Sequence, residues 1–141
     1  MVYIPQVKPA IPKPPTERMT SQYWKLPVNW REWIDAVRWA AGGRLSLQVT
    51  AAPTVVTELV EQKEKDELIV HLLNYDAARS PSVRNIAVDL RIPEGKKAMK
   101  ISLISPDEES TLSLPPLQKN GGIAFTVPRL KTYSLAIVQL Q

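Results

Sequence analysis

Residues 86–92 read Ile86-Ala87-Val88-Asp89-Leu90-Arg91-Ile92, and this stretch sets the fold class. Strict alternation sends Ile86, Val88, Leu90 and Ile92 to one face and Ala87, Asp89 and Arg91 to the other, the period of a half-buried strand. The same pattern recurs in Ile123, Phe125 and Val127, and in Met99, Ile101 and Leu103. Leu68-Ile69-Val70-His71-Leu72-Leu73 is nearly all apolar, which suits a central strand covered on both faces. Working outward, strands are expected near 45–50, 54–62, 67–75, 84–92, 98–104, 110–114, 122–127 and 132–140. Turn chemistry separates them: Lys63-Glu64-Lys65-Asp66 reads as a charged hairpin tip, and Pro93-Glu94-Gly95-Lys96 and Ser105-Pro106-Asp107 read as turns. Asn120-Gly121 is the strongest hairpin signal, because both residues tolerate positive φ. Seven or eight short strands at this spacing imply an antiparallel β-sandwich, a mainly β fold.

The grammar before Leu45 is different. Residues 1–27 carry six of the 13 prolines, each of which removes a donor and biases its predecessor away from helix. They are expected to run as an extended proline-rich basic arm or linker, with Ile4, Val7, Ile11, Met19, Tyr23, Trp24 and Leu26 as apolar side chains that could lie on a surface. Residues 28–43 read as an amphipathic Trp-rich helix, with the helix itself over 29–41. Asn29 is placed as N-cap, with Glu32 completing a capping box. Trp30, Trp33, Ile34, Val37 and Ala41 form one stripe, Arg31 and Asp35 stand at pairing distance, and Gly42-Gly43 stops the helix. Residues 44–141 are then the sandwich.

Composition removes whole classes of chemistry. The 141 residues contain no cysteine and one histidine, which excludes thiol nucleophiles, disulfides, cysteine-ligated metals and any two-histidine metal site. The net charge of +4 suggests an anionic partner until it is located. Residues 1–31 hold Lys8, Lys13, Arg18, Lys25 and Arg31 against Glu17, while residues 32–141 hold 13 basic and 13 acidic side chains. The basic face of a phosphate-backbone binder is missing, so no nucleic-acid partner is expected. No stretch approaches the roughly 20 apolar residues of a membrane span, and the N-terminus lacks the charged and apolar regions of a signal peptide. A soluble chain without a membrane partner is expected, in a compartment the sequence leaves unknown.

From the third strand onward the wording resembles a known domain type. Glu67-Leu68-Ile69-Val70-His71-Leu72-Leu73-Asn74-Tyr75 is followed by Val88-Asp89-Leu90-Arg91-Ile92-Pro93-Glu94-Gly95-Lys96 and Leu103-Ile104-Ser105-Pro106-Asp107. The chain closes with Phe125-Thr126-Val127-Pro128-Arg129-Leu130-Lys131-Thr132-Tyr133-Ser134. That ordered set resembles the C-terminal all-β accessory domains of bacterial glycoside hydrolases, β-galactosidase-like and related (β/α)-barrel enzymes. The resemblance covers roughly residues 45–141 and implies an immunoglobulin-like or amylase-C-terminal-like sandwich. It also implies that the catalytic carboxylates sit on a barrel absent from this chain. The chain alone is then not an enzyme but a fragment or relative of one, and its partner is a catalytic (β/α)-barrel domain or another subunit.

Several residues could carry sharper functions, and packing competes with each. Glycoside hydrolysis needs two carboxyls flanking one bond; Glu58, Asp76 and Asp89 are the acids nearest strand centres or ends, and Asp89 alternates outward into solvent. No catalytic residue is assigned. His71 is expected to pack, bonded to Asn74, Tyr75 or backbone, rather than to serve as a hydrolytic base. Trp30, Trp33, Ile34 and Val37 are taken as structural helix anchors, whereas Tyr23, Trp24 and Trp39 are the candidates for contact with carbohydrate or a neighbouring domain. Ser105-Pro106-Asp107-Glu108-Glu109 does not supply the six to eight oxygens of a calcium site, and no metal or cofactor is expected. The reading is therefore a non-catalytic sandwich module of a carbohydrate-active enzyme, acting in domain packing or assembly. The alternatives are a carbohydrate-binding module with a Trp/Tyr platform for an oligosaccharide and, behind it, a hydrolase using His71.

Overall fold

The computed structural model describes residues 5–11 and 26–141, and the chain divides into two compact units, Met1–Leu45 and Ser46–Gln141. In the first unit α1 spans Trp30–Ala40 and ends at Gly42 and Gly43, both at positive φ. The Gly43 amide donates to the Arg38 carbonyl at 2.8 Å, which closes the last turn. Asn29 does not make the expected capping box. Its side chain caps no helix amide; instead its Oδ1 accepts from the Lys8 amide at 2.9 Å, while Nδ2 donates to the Gln6 carbonyl at 2.7 Å and to Glu32 at 3.0 Å. The Val28 amide donates to the Lys8 carbonyl at 2.8 Å. Asn29 is thus spent on clamping residues 6–8 to the start of the helix.

The second unit is an antiparallel β-sandwich. Its strands are β1 (Leu47–Thr50), β2 (Val55–Gln62), β3 (Glu67–Asn74), β4 (Val83–Arg91), β5 (Ala98–Ile104), β6 (Leu112–Leu114), β7 (Leu117–Lys119), β8 (Gly122–Leu130) and β9 (Tyr133–Leu140). They form a four-stranded sheet in the order β1-β4-β8-β7 and a five-stranded sheet in the order β2-β3-β9-β5-β6. The core is what alternation dictates: Leu68, Val70 and Leu72 from β3 meet Ile86, Val88 and Leu90 from β4 and Ile123, Phe125 and Val127 from β8. Fully burying one such side chain contributes about 1.5–3 kcal/mol, so the facing rows hold the layers together.

Three details depart from the expected pattern. Met99 does not share a face with Ile101 and Leu103: a register shift between Ala98 and Lys100 turns Met99 outward and leaves Ala98 buried in its place. The short strand β7 was absent from the expected set, because Leu117-Gln118-Lys119 carries one apolar residue and no alternation. The Asn120-Gly121 loop does join β7 to β8, but only Gly121 takes positive φ. The tip at Lys63–Lys65 is a single 3-10 turn closed by Asp66 in the left-handed region.

Candidate functional site

The two outer faces of the sandwich differ in chemistry. On the four-stranded sheet, register places Gln48, Asp89, Ala124 and Leu117 in one row and Thr50, Ala87 and Thr126 in the next. Asp89 is not simply solvated; it pairs with Lys119 of β7. Arg84 and Arg129 stand opposite each other further along. This is an ordinary wetted face.

The outer face of the five-stranded sheet carries an aliphatic patch bordered by polar residues. One row runs Val60–Ile69–Ile137–Ser102–Ser113, the next Glu58–His71–Leu135–Ile104, and the third Val56–Leu73–Tyr133. A fourth, at the opposite end, is polar: Gln62–Glu67–Gln139–Lys100. The near-continuous apolar run in β3 is explained by its interior place in the sheet, but its outer cover is incomplete. Ile69 is 9% exposed between its strand neighbours, whereas Leu73 remains 40% exposed.

His71 lies in the middle of this face. Its ring Nδ1 is 2.7 Å from the Tyr133 hydroxyl, so its partner is the neighbouring strand rather than Asn74, Tyr75 or backbone. Glu58 stands across from it on β2. Asn74 instead points inward, 1% exposed, and its Nδ2 donates to the carbonyls of Ser80 at 2.6 Å and Lys131 at 3.0 Å. It ties the loop after β3 to the turn before β9. Asp107 braces the same turn from outside: its carboxylate accepts the Thr132 amide at 2.8 Å and the Tyr133 amide at 3.3 Å. The Thr132 bond holds its pKa below the ordinary carboxylate value, with the Tyr133 bond and the Lys131 charge acting in the same direction.

The acids do not converge. Glu58 and Asp89 project from opposite faces of the sandwich, and Asp76 pairs with Arg79 at 3.0 Å. Among the described residues no group of three or more His, Asp or Glu side chains could hold a metal. A cleft of about 410 Å³ opens at one end of the sandwich, with Leu59, Leu68, Ile92 and Pro93 as its apolar part and Glu61, Arg91 and Glu94 as its charged part. With Ser46, its residues come from four separate segments, and no local motif announces it. Glu61 shares its strand face with Leu59 and pairs with Leu68, an inward-pointing charge on an edge strand of the kind that discourages further strand addition.

The first unit has its own apolar groove, about 330 Å³, lined by Val7, Leu26, Pro27, Trp30, Trp33, Ile34, Val37 and Leu45. The four helix residues taken as anchors therefore line one groove, and none of them is fully buried. Arg31 does not pair with Asp35; its guanidinium lies 5.2 Å from the Trp30 ring centroid, while Asp35 meets Arg38 at 3.6 Å. Trp39 points away from the stripe and is 73% exposed. Tyr23 and Trp24 lie outside the described residues. No helix among the described residues is long and apolar enough to cross a membrane.

Among solved structures the chain is similar to α-L-fucosidase isoenzyme 2 from Paenibacillus thiaminolyticus, with a TM-score of 0.63 and 22% identity over 77% of this chain and 17% of that one. It is also similar to a cycloisomaltooligosaccharide glucanotransferase from Paenibacillus sp., with a TM-score of 0.52 and 17% identity over 79% of this chain and 21% of that one. The likeness is one of fold, and this chain spans about a fifth of each of those carbohydrate-active chains. No protein-family model matches the chain, and no curated protein does.

Proposed function

We propose that this chain is a non-catalytic β-sandwich module of a carbohydrate-active enzyme, acting in packing or assembly beside a catalytic (β/α)-barrel domain or another subunit. The observation that carries the reading is the pair of structural likenesses, each with a small part of a longer carbohydrate-active chain. Two features of the sandwich favour it. Its candidate acids stand on opposite faces, too divided to flank one glycosidic bond. Its outer five-stranded face offers aliphatic area, which drives association by leaving water. The test is an assay of the full chain on a panel of chromogenic glycosides and esters beside His71→Ala. Both proteins should match the blank; turnover by the wild type that His71→Ala abolishes would overturn the reading in favour of a hydrolase.

One observation favours the carbohydrate-binding alternative. Trp39, 73% exposed, offers a free indole face on which the C–H face of a sugar ring could stack. The groove of the first unit suits a sugar less well, since its apolar lining would leave hydroxyl groups without partners. Titration with polysaccharides while following tryptophan fluorescence distinguishes the two readings. A saturable change lost in Trp39→Ala would support the binding module, and a flat response across glycans would remove it.

A further inference from the structure

We propose that two copies of this chain pair face to face through the outer surface of the five-stranded sheet, related by a two-fold axis running along β9. The strand order makes β9 the midline, with β3 and β5 flanking it and β2 and β6 outside them. A half-turn about an in-plane axis on that midline lays β3 of one copy over β5 of the other, and β2 over β6. Two adjacent rows of this face are complementary under that operation.

In the polar row, Glu67 and Lys100 both flank Gln139, one from each side. The half-turn brings each Glu67 over the Lys100 of the second copy, giving two symmetric ion pairs. Neither side chain has an ion-pair partner among the described residues of its own chain. In the next row Ile137 lies on the axis, and bulk matches absence of bulk on either side of it: Ile69 comes over Ser102 and Val60 over Ser113. Aligned sheets pack about 10 Å apart and cross at about 30°. Side chains as long as Glu and Lys absorb that offset. The opposite face of the sandwich, wetted and already internally paired at Asp89 and Lys119, has no such pattern. A closed isologous contact follows, the commonest form of oligomer.

The pairing goes beyond the accessory-module reading and does not depend on it, because it is measured in solution without any enzyme. Sedimentation velocity of the full 141-residue chain over a dilution series, beside Glu67→Lys, Lys100→Glu and the double variant, tests it. The wild type should dimerise. Each single swap turns two attractions into two repulsions and should weaken the dimer by about tenfold. The double swap restores opposite charges across the axis and should recover the wild-type constant to within a few-fold. A wild type that stays monomeric overturns the pairing and leaves the face to a partner of different sequence. A dimer indifferent to the single swaps, or one that the double swap fails to rescue, overturns it equally and places the contact elsewhere.

Discussion

The two outer faces of this sandwich are built on the same core with the same strand period, yet one is finished for water and the other is not. Both sheets alternate, so residue identity at every second position is free of core constraint. On the four-stranded sheet those positions carry Gln48, Thr50, Asp89, Thr126 and Lys119 beside Ala87, Ala124 and a single large apolar residue, Leu117. On the five-stranded sheet they carry Val60, Ile69, Ile137, Leu135 and Leu73, with His71 and Tyr133 bonded to each other among them, Glu58, Ser102 and Ser113 on the flanking strands and one polar row at the end. Folding the sandwich does not require aliphatic residues on an outer face. Their concentration on one side is what the proposed pairing uses.

The largest effect expected from breaking this comparison separates inside from outside on a single strand. Leu72 is fully buried in the core, and Leu73, its neighbour in β3, points to the outer face. Leu72→Ala should cost about 2–5 kcal/mol, while Leu73→Ala should cost well under half of that, because it leaves no enclosed cavity. Urea denaturation of the two variants measures the difference. Equal losses would mean that the outer face is already as buried as the core.

Next in size is a backbone constraint on the polar side. Gly122 opens β8 opposite Arg91, and a Cβ there would run into the Leu90 carbonyl oxygen. Gly122→Ala should therefore destabilise by about 1–3 kcal/mol despite adding only a methyl group, through displacement of β4 from β8. A neutral outcome in thermal unfolding would show that the two strands can separate at that corner without loss.

The alternation that separates these faces was legible in the sequence, and the reason is physical. Period two is a local property, so Ile86, Val88 and Leu90 announce their shared face within five residues. What could not be read was anything that depends on which strands become neighbours. His71 meets Tyr133 from 62 positions away, and Asp107 reaches the Thr132 amide from 25 positions away; no spacing rule encodes either bond. Met99 leaves the face its sequence pattern predicts because a bulge changes the phase of a strand without changing its composition. Asn29 departs from its expected cap for a related reason: its side chain has a local partner available at the helix start, and a distant one, the backbone of residues 6–8, takes it.

A smaller effect sharpens what the polar pair does inside the aliphatic face. Tyr133→Phe keeps the ring and removes the hydroxyl from His71. The cost should be about 0.5–1.5 kcal/mol in denaturant, the net worth of one hydrogen bond. If the variant is instead as stable as the wild type, the pair contributes register or partner recognition rather than stability.

The two faces should finally answer to different solution variables, with the smallest effects of all. On the polar face the Asp89–Lys119 pair is exposed, so Asp89→Asn should cost about 0.2–1 kcal/mol at low salt, and the cost should fade as salt is added. At the end of the five-stranded sheet the corresponding electrostatic contact is Asp107, whose carboxylate accepts the Thr132 and Tyr133 amides where β9, the midline strand, begins. Its pKa is lowered by the Thr132 amide above all, so the folded chain favours the ionised form. A carboxylate depressed on folding contributes stability that is present above its unfolded pKa, about 3.9, and is lost as pH falls through the lower folded value. Asp107→Asn should thus be slightly less stable than wild type at neutral pH, and the two unfolding curves should converge once the wild-type carboxylate is protonated. Circular dichroism melts on either side of that range measure the convergence. Salt should weaken the difference little, because the leading interaction is a hydrogen bond to fixed backbone amides rather than a charge pair through solvent. Curves that stay parallel into acid would mean that Asp107 acts through shape alone, and that charge does not fasten the edge of the aliphatic face.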